Sequence, residues 1–154
     1  MKSVIKGAFV ALFFILTLGA AFAGEMVFKT GKGVIADQRG GRHVLQLEYA
    51  SSDEERAHGL MGRTTMAKDH GMIFDFGTSR DVMMWMKNTP LPLDMLFIDE
   101  QGVIRTIAAN TKPFSEDIIP SEGKVRYVIE LNGGRAAALG IGPGSRVVEG
   151  LKLP

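Results

Sequence analysis

The chain has no cysteine, and that absence removes disulfides, thiolate metal sites, thiol nucleophiles and a lipid-anchored N-terminus together. Histidine is scarce as well. His43, His58 and His70 lie far apart, without the short spacings by which two imidazoles on one helix or hairpin reach a single metal. Neither sign of charge dominates, with 18 Lys and Arg against 17 Asp and Glu. A chain this close to neutrality lacks the basic field that drives nucleic-acid binding, so no nucleic-acid partner is expected. HisGluXxxXxxHis, GlyXxxSerXxxGly and phosphate-loop patterns are absent too. GlyIleGlyProGly (140–144) is a helix stop and turn, since no strand feeds it and a proline interrupts it.

What is present begins with the first residues. MKSVIKGAFVALFFILTLGAAFA carries Lys2 and Lys6, then an apolar run, then the small residues Ala21 and Ala23. This is the pattern of a secretory signal peptide, with cleavage expected after Ala23 and a periplasmic destination. The uncharged run from Gly7 to Gly24 is close to membrane-spanning length, so an uncleaved anchor is the alternative; after cleavage no stable membrane anchor is expected. Removing Lys2 and Lys6 turns the formal charge slightly negative. Residues 24–154 are then expected to form a single β-rich domain, long enough to bury a core.

Strand signals fill that region. In RHVLQLEYA, His43, Leu45, Leu47 and Tyr49 alternate with Val44, Gln46 and Glu48, the period of a half-buried strand. GMIFDF (71–76), DVMMWMK (81–87), DMLFID (94–99), VIRTIAA (103–109), VRYVIEL (125–131) and SRVVE (145–149) read as further strands, and GluGlnGly (100–102) as a hairpin loop. ValIleAla (34–36) suits a short strand or a loop, and residues 112–120 a longer loop with a proline near either end. Two short helices are expected. One opens with the Ser52–Glu55 capping box and ends near Gly62; the other spans GGRAAALGI and stops at Gly140. The fold class is therefore mainly β, a compact β-sandwich or partly open barrel with one or two short helices and no visible βαβ repetition.

The stretch MMWMKNTPLPLDMLFID (83–99) holds four of the nine methionines and the only tryptophan. By strand parity Val82, Met84 and Met86 share one face and Met83, Trp85 and Lys87 the other. Both faces are apolar in DMLFID as well, which predicts a central strand pair covered on both sides. Packing accounts for the methionines, which fill irregular gaps. A soft Cu(I) site built from Met84 and Met86 with Met72 or Met95 is the alternative, and no metal or other cofactor is expected. Prolines follow Thr89 and Leu91, stiffening a corner that carries Lys87, Asn88, Thr89 and Asp94. Those polar groups either close the turn or face a ligand. Glu130 lies inside an apolar strand and needs a cation or hydrogen bonds if buried, with Arg63 and Arg126 as candidate partners.

The motifs GLMGR (59–63), GMIFDF (71–76), MWMKNTPLPLDMLFID (84–99), VIELNGG (128–134) and LGIGPGSRV (139–147), in that order, resemble the bacterial and archaeal family catalogued as domain of unknown function 192. The resemblance runs from Val44 to Val148. It implies a compact β-rich sandwich, often in exported proteins, and implies no reaction. GlyProGlySer (142–145) departs from the family's habit of placing an aspartate after the glycine. The leading functional expectation is a periplasmic module that binds a small polar molecule in a cleft lined by Arg63, Trp85, Lys87, Asn88, Asp94 and Glu130. An enzyme acting on an envelope component, with Asp94 and Glu130 as acid and base, is the second. A structural or assembly protein without a ligand is the third. The sequence specifies no oligomeric state.

Overall fold

A computed structural model describes residues 26–152, so the signal-like segment lies outside the described residues. The alternating residues of RHVLQLEYA form β2 (Arg42–Ala50), with Leu45, Leu47 and Tyr49 buried and Val44 and Gln46 exposed. It pairs antiparallel with β1 (Lys29–Ala36) across a turn in which the Asp37 carboxylate accepts the backbone N–H groups of Arg39 and Gly41. The expected capping box then starts α1 (Asp53–His58): the Ser52 hydroxyl accepts from the Glu55 N–H while the Glu55 carboxylate accepts from the Ser52 N–H. This helix stops at Gly59, three residues before the expected end.

Residues 51–69 carry the chain back along the sheet, and β3 (His70–Met84) pairs parallel with β2. One parallel pair thus stands in a sheet whose other pairings are all antiparallel, made possible by a connection long enough to cross over. The two strands expected over 71–76 and 81–87 are one bent strand. Its pairing with β6 (Ile119–Asn132) breaks between Asp75 and Arg80, leaving residues 76–79 outside the ladder.

β4 (Leu93–Ile98) is buried along its whole length and forms the expected hairpin with β5 (Ile104–Ala108), closed by the Asp99 carboxylate, which accepts from Gln101 and Val103 N–H. After β6 come α2 (Arg135–Leu139), ended by a left-handed Gly140, and β7 (Arg146–Glu149). The sheet order is β5-β4-β6-β3-β2-β1-β7. It curls into a half-barrel whose outer strands meet where Val103 bridges Arg146 and the Ile104 N–H donates to the Ser145 carbonyl at 2.9 Å. Among the described residues the architecture is mainly β with two short helices.

Two expectations about the central strands change. β6 lies between β3 and β4, so the methionine-rich segment and DMLFID are not neighbours; both hydrogen-bonding edges of β4 are taken by β5 and β6. Of these two segments only DMLFID, as β4, is covered on both faces. Past the bulge, Met83 is 72% exposed and Trp85 46%. One sheet face packs Leu47, Ile73, Leu96 and Ile129 into a core, and the opposite face packs Met72, Phe74, Met95 and Val128 into a second. The site described next opens from that second face.

Candidate functional site

The proline-bearing corner is held by backbone groups. Gly62 donates to the Asn88 carbonyl at 2.8 Å, Thr89 to the Met86 carbonyl at 3.1 Å and Phe114 to the Thr89 carbonyl at 3.0 Å. The chain leaving α1 is thereby tied to the corner and makes one wall with it. Bulged β3 makes the facing wall. Gly59, with φ at 49°, turns so close over Phe74 that a Cβ there would sit 3.2 Å from the ring, which lets the helix end close down on the strand. Between the walls is a cavity of about 250 Å³.

Glu130 lies in the cavity lining. It stands on β6 with Met72 of β3 and Met95 of β4 directly beside it in register, and it is 4% exposed. No hydrogen bond or ion pair from a described residue reaches its carboxyl, and Arg63 and Arg126 are engaged elsewhere. Arg63 pairs with Glu48, with one bond at 2.8 Å, and Arg126 pairs with Asp75 at 3.1 and 3.2 Å. Burial among apolar neighbours raises the Glu130 pKa to about 8, so the group is mainly the neutral acid at pH 7. A neutral carboxyl facing a cavity can donate one hydrogen bond and accept others.

The cavity wall is aromatic and cationic. Arg56 and Arg80 stand 5.6 and 5.1 Å from the centre of the Phe76 ring, and Lys87 Nζ stands 5.4 Å from that of Trp85. Arg56 also pairs with Asp53 and donates to the Asp75 carbonyl at 2.8 Å. Among described residues no carboxylate pairs with Arg80 or Lys87. Met61, Met83 and Met84 add apolar surface.

Of the six residues expected at the cleft, Trp85, Lys87 and Glu130 line it and Arg63, Asn88 and Asp94 do not. Asn88 is exposed in a left-handed conformation, φ 53°. Asp94 is fully buried on the other side of the sheet. Its Oδ1 accepts the N–H groups of Asn110 and Gly134 and its Oδ2 that of Ala136, each at 2.9 Å, so it anchors the start of α2. Because Asp94 opposes Leu131 and Met95 opposes Glu130, the two carboxyls leave the sheet on opposite faces and reach no common atom. The acid–base pairing of Asp94 with Glu130 is therefore ruled out by strand parity. Sequence reasoning missed Arg56, His58 and Arg80 at the wall, because on a short helix and a bulging strand such residues read as solvent-facing.

The model of the family described as Uncharacterized ACR, domain of unknown function 192, matches residues 34–148. The chain belongs to this family. Solved structures agree with the fold. A candidate transcription regulator from Sinorhizobium meliloti 1021 is 51% identical, with a TM-score of 0.79 over 80% of this chain and 96% of that one. A protein of unknown function from Novosphingobium aromaticivorans DSM 12444 is 38% identical, with a TM-score of 0.75 over 78% of this chain and 85% of that one. The comparison with functionally curated proteins finds no match. Family membership thus gives the β-rich fold and leaves the chemistry to be argued from the cavity.

Proposed function

We propose that the chain is an exported, periplasmic binding module whose small ligand sits in the cavity over Glu130. One observation carries the reading. The Glu130 carboxyl, on a side chain that is otherwise buried, opens onto the cavity with no hydrogen-bond partner among the described residues, so a molecule bound there is placed to exchange hydrogen bonds with it. The aromatic wall with a few polar groups is the usual makeup of a small-molecule site, and the cavity lies just below the size that holds drug-sized compounds. Export is supported by the basic, apolar and small-residue succession over residues 1–23.

The relative described as a candidate transcription regulator favours no second reading here, since the two described helices span six and five residues and the charge is near neutral. Glu130→Met tests the binding module. It replaces the lone carboxyl with an apolar group of similar size, and it is expected to raise the melting temperature while abolishing the amide shifts that small-molecule fragments cause around Trp85. A fall in melting temperature, with fragment binding retained, would instead make Glu130 a structural residue and the cavity incidental. For export, mass spectrometry of the periplasmic protein is expected to find residues 1–23 removed, and retention of Met1 would count against cleavage.

A further inference from the structure

The cavity's charge is unbalanced in one direction. Arg80 and Lys87 each rest on an aromatic ring with no described carboxylate to neutralise them, and Arg56 shares the ring that Arg80 uses. Placing cations on ring faces fixes their positions without cancelling their charge. Among the described residues Glu130 is the only carboxyl on the wall. The site is therefore rich in donors, poor in acceptors and apolar between them.

Resting on the binding-module reading, we infer that the ligand is a small carboxylate with an apolar or aromatic body, its anionic end held by Arg80 and Lys87 and one of its oxygens accepting a hydrogen bond from the Glu130 carboxyl. A carboxylate fits better than a phosphate. Phosphate sites draw on several convergent backbone N–H groups at a helix start or a nest, whereas the donors here are separate side chains, Arg80 and Lys87, whose two charges suit a singly charged anion. A cationic ligand would share the wall with three positive side chains, Arg56, Arg80 and Lys87. The elevated pKa of Glu130 fits the same assignment, because only the protonated acid can donate to a carboxylate.

The charged and titratable groups facing the cavity are His58 and Arg56 from the helix, Arg80 from β3, Lys87 from the corner and Glu130 from β6, the two arginines keeping their charge throughout; Met72 and Met95, the strand neighbours of Glu130, do not titrate. The test uses the protein's single tryptophan. Benzoate, phenylacetate and indole-3-acetate are titrated while the Trp85 indole N–H is followed by NMR, with benzamide and benzylamine as neutral and cationic counterparts and phenyl phosphate as the competing anion. The carboxylates are expected to bind at least tenfold more tightly than all three. Their affinity is expected to fall roughly tenfold from pH 7 to pH 9 as Glu130 ionises. Arg80→Ala and Lys87→Ala should each weaken binding by about tenfold. Glu130→Gln keeps an N–H donor, so it should retain binding and lose the alkaline fall. A fall that persists in Glu130→Gln would assign the titration to another wall group and overturn the Glu130 contact. Tighter binding of benzylamine or phenyl phosphate would overturn the carboxylate class while leaving the cavity a ligand site. If no probe moves the Trp85 resonance, the binding-module reading fails and this inference fails with it.

Discussion

Asp94 and Glu130 stand one step apart in register across β4 and β6, and their carboxyls leave the sheet on opposite faces. The first is satisfied by backbone N–H groups from two connecting segments, and the second meets a cavity without a protein partner. Similar side chains in adjacent strands thus have opposite effects on folding. Asp94 organises the chain around it, while Glu130 is tolerated by it.

Asp94→Ala is expected to destabilise the protein by roughly 3–5 kcal/mol, since it leaves several buried N–H groups without an acceptor. Asp94→Asn should lose less, because an amide oxygen can still serve Asn110 and Gly134 while its NH₂ cannot accept from Ala136. Urea denaturation reads both. Equal and small losses would mean that the start of α2 is held by packing instead.

Glu130 should make stability depend on pH with a particular sign. Its pKa is about 8 when folded and near the ordinary 4.5 when unfolded, so the unfolded state gives up its proton first. Relative to Glu130→Gln, the wild type is most stable below pH 4.5. It then loses about 1.4 kcal/mol per pH unit at most as pH rises toward 8, and levels off above. Denaturation of both proteins at several pH values from 4 to 9 checks this, and a wild-type advantage that grows with pH would refute it.

The methionines divide by position. Met72, Met86 and Met95 are completely buried, and the Thr111 hydroxyl donates to the Met86 sulfur at 3.1 Å. Replacing Met72 or Met95 with leucine keeps the volume nearly constant, and each is expected to cost under about 1.5 kcal/mol. Equimolar Cu(I) is expected to leave the melting temperature unchanged. A rise that disappears in the double variant Met84→Leu, Met86→Leu would show that these sulfurs do more than pack.

Lys87→Ala removes one cation–π contact at the surface of the cavity and should cost no more than about 1 kcal/mol of stability. Its circular dichroism and melting behaviour should stay close to wild type while fragment binding at Trp85 weakens. A stability loss large enough to explain the weakened binding would return Lys87 to a structural role.

Local chemistry was legible in the sequence and distant pairing was not. The alternation of β2, the Ser52–Glu55 box, the Gly140 stop and the GluGlnGly hairpin each depend on residues a few positions apart. The placing of β6 between β3 and β4 depends on contacts far along the chain that no short window contains. The bulge at 76–79 hid in the same way, and with it the position of Arg80. Trp85, Lys87 and Glu130, which line the cavity, stood out because a stiff polar corner and an acid in an apolar strand are anomalies wherever the strands pair. Asp94 gave the same anomaly for a different reason: a buried aspartate looks alike in sequence whether a ligand or three backbone N–H groups complete it. Arg63 and Arg126 were candidates for Glu130 only until Glu48 and Asp75, from other strands, took them.

The first strand of the sheet is paired on one side by the last. β1 lies between β2 and β7, and β7 in turn meets the start of β5. A ribosome that has not yet released residues 146–149 therefore holds a chain whose β1 edge is open and whose curl has nothing to meet. Sheet closure waits for residues 146–149, when long-range pairing can be completed in one step. Until then the unpaired edges remain available to chaperones and to one another. Under the export proposed above, such a delay would keep the chain unfolded while it is threaded across a membrane, and the delay comes from strand order alone.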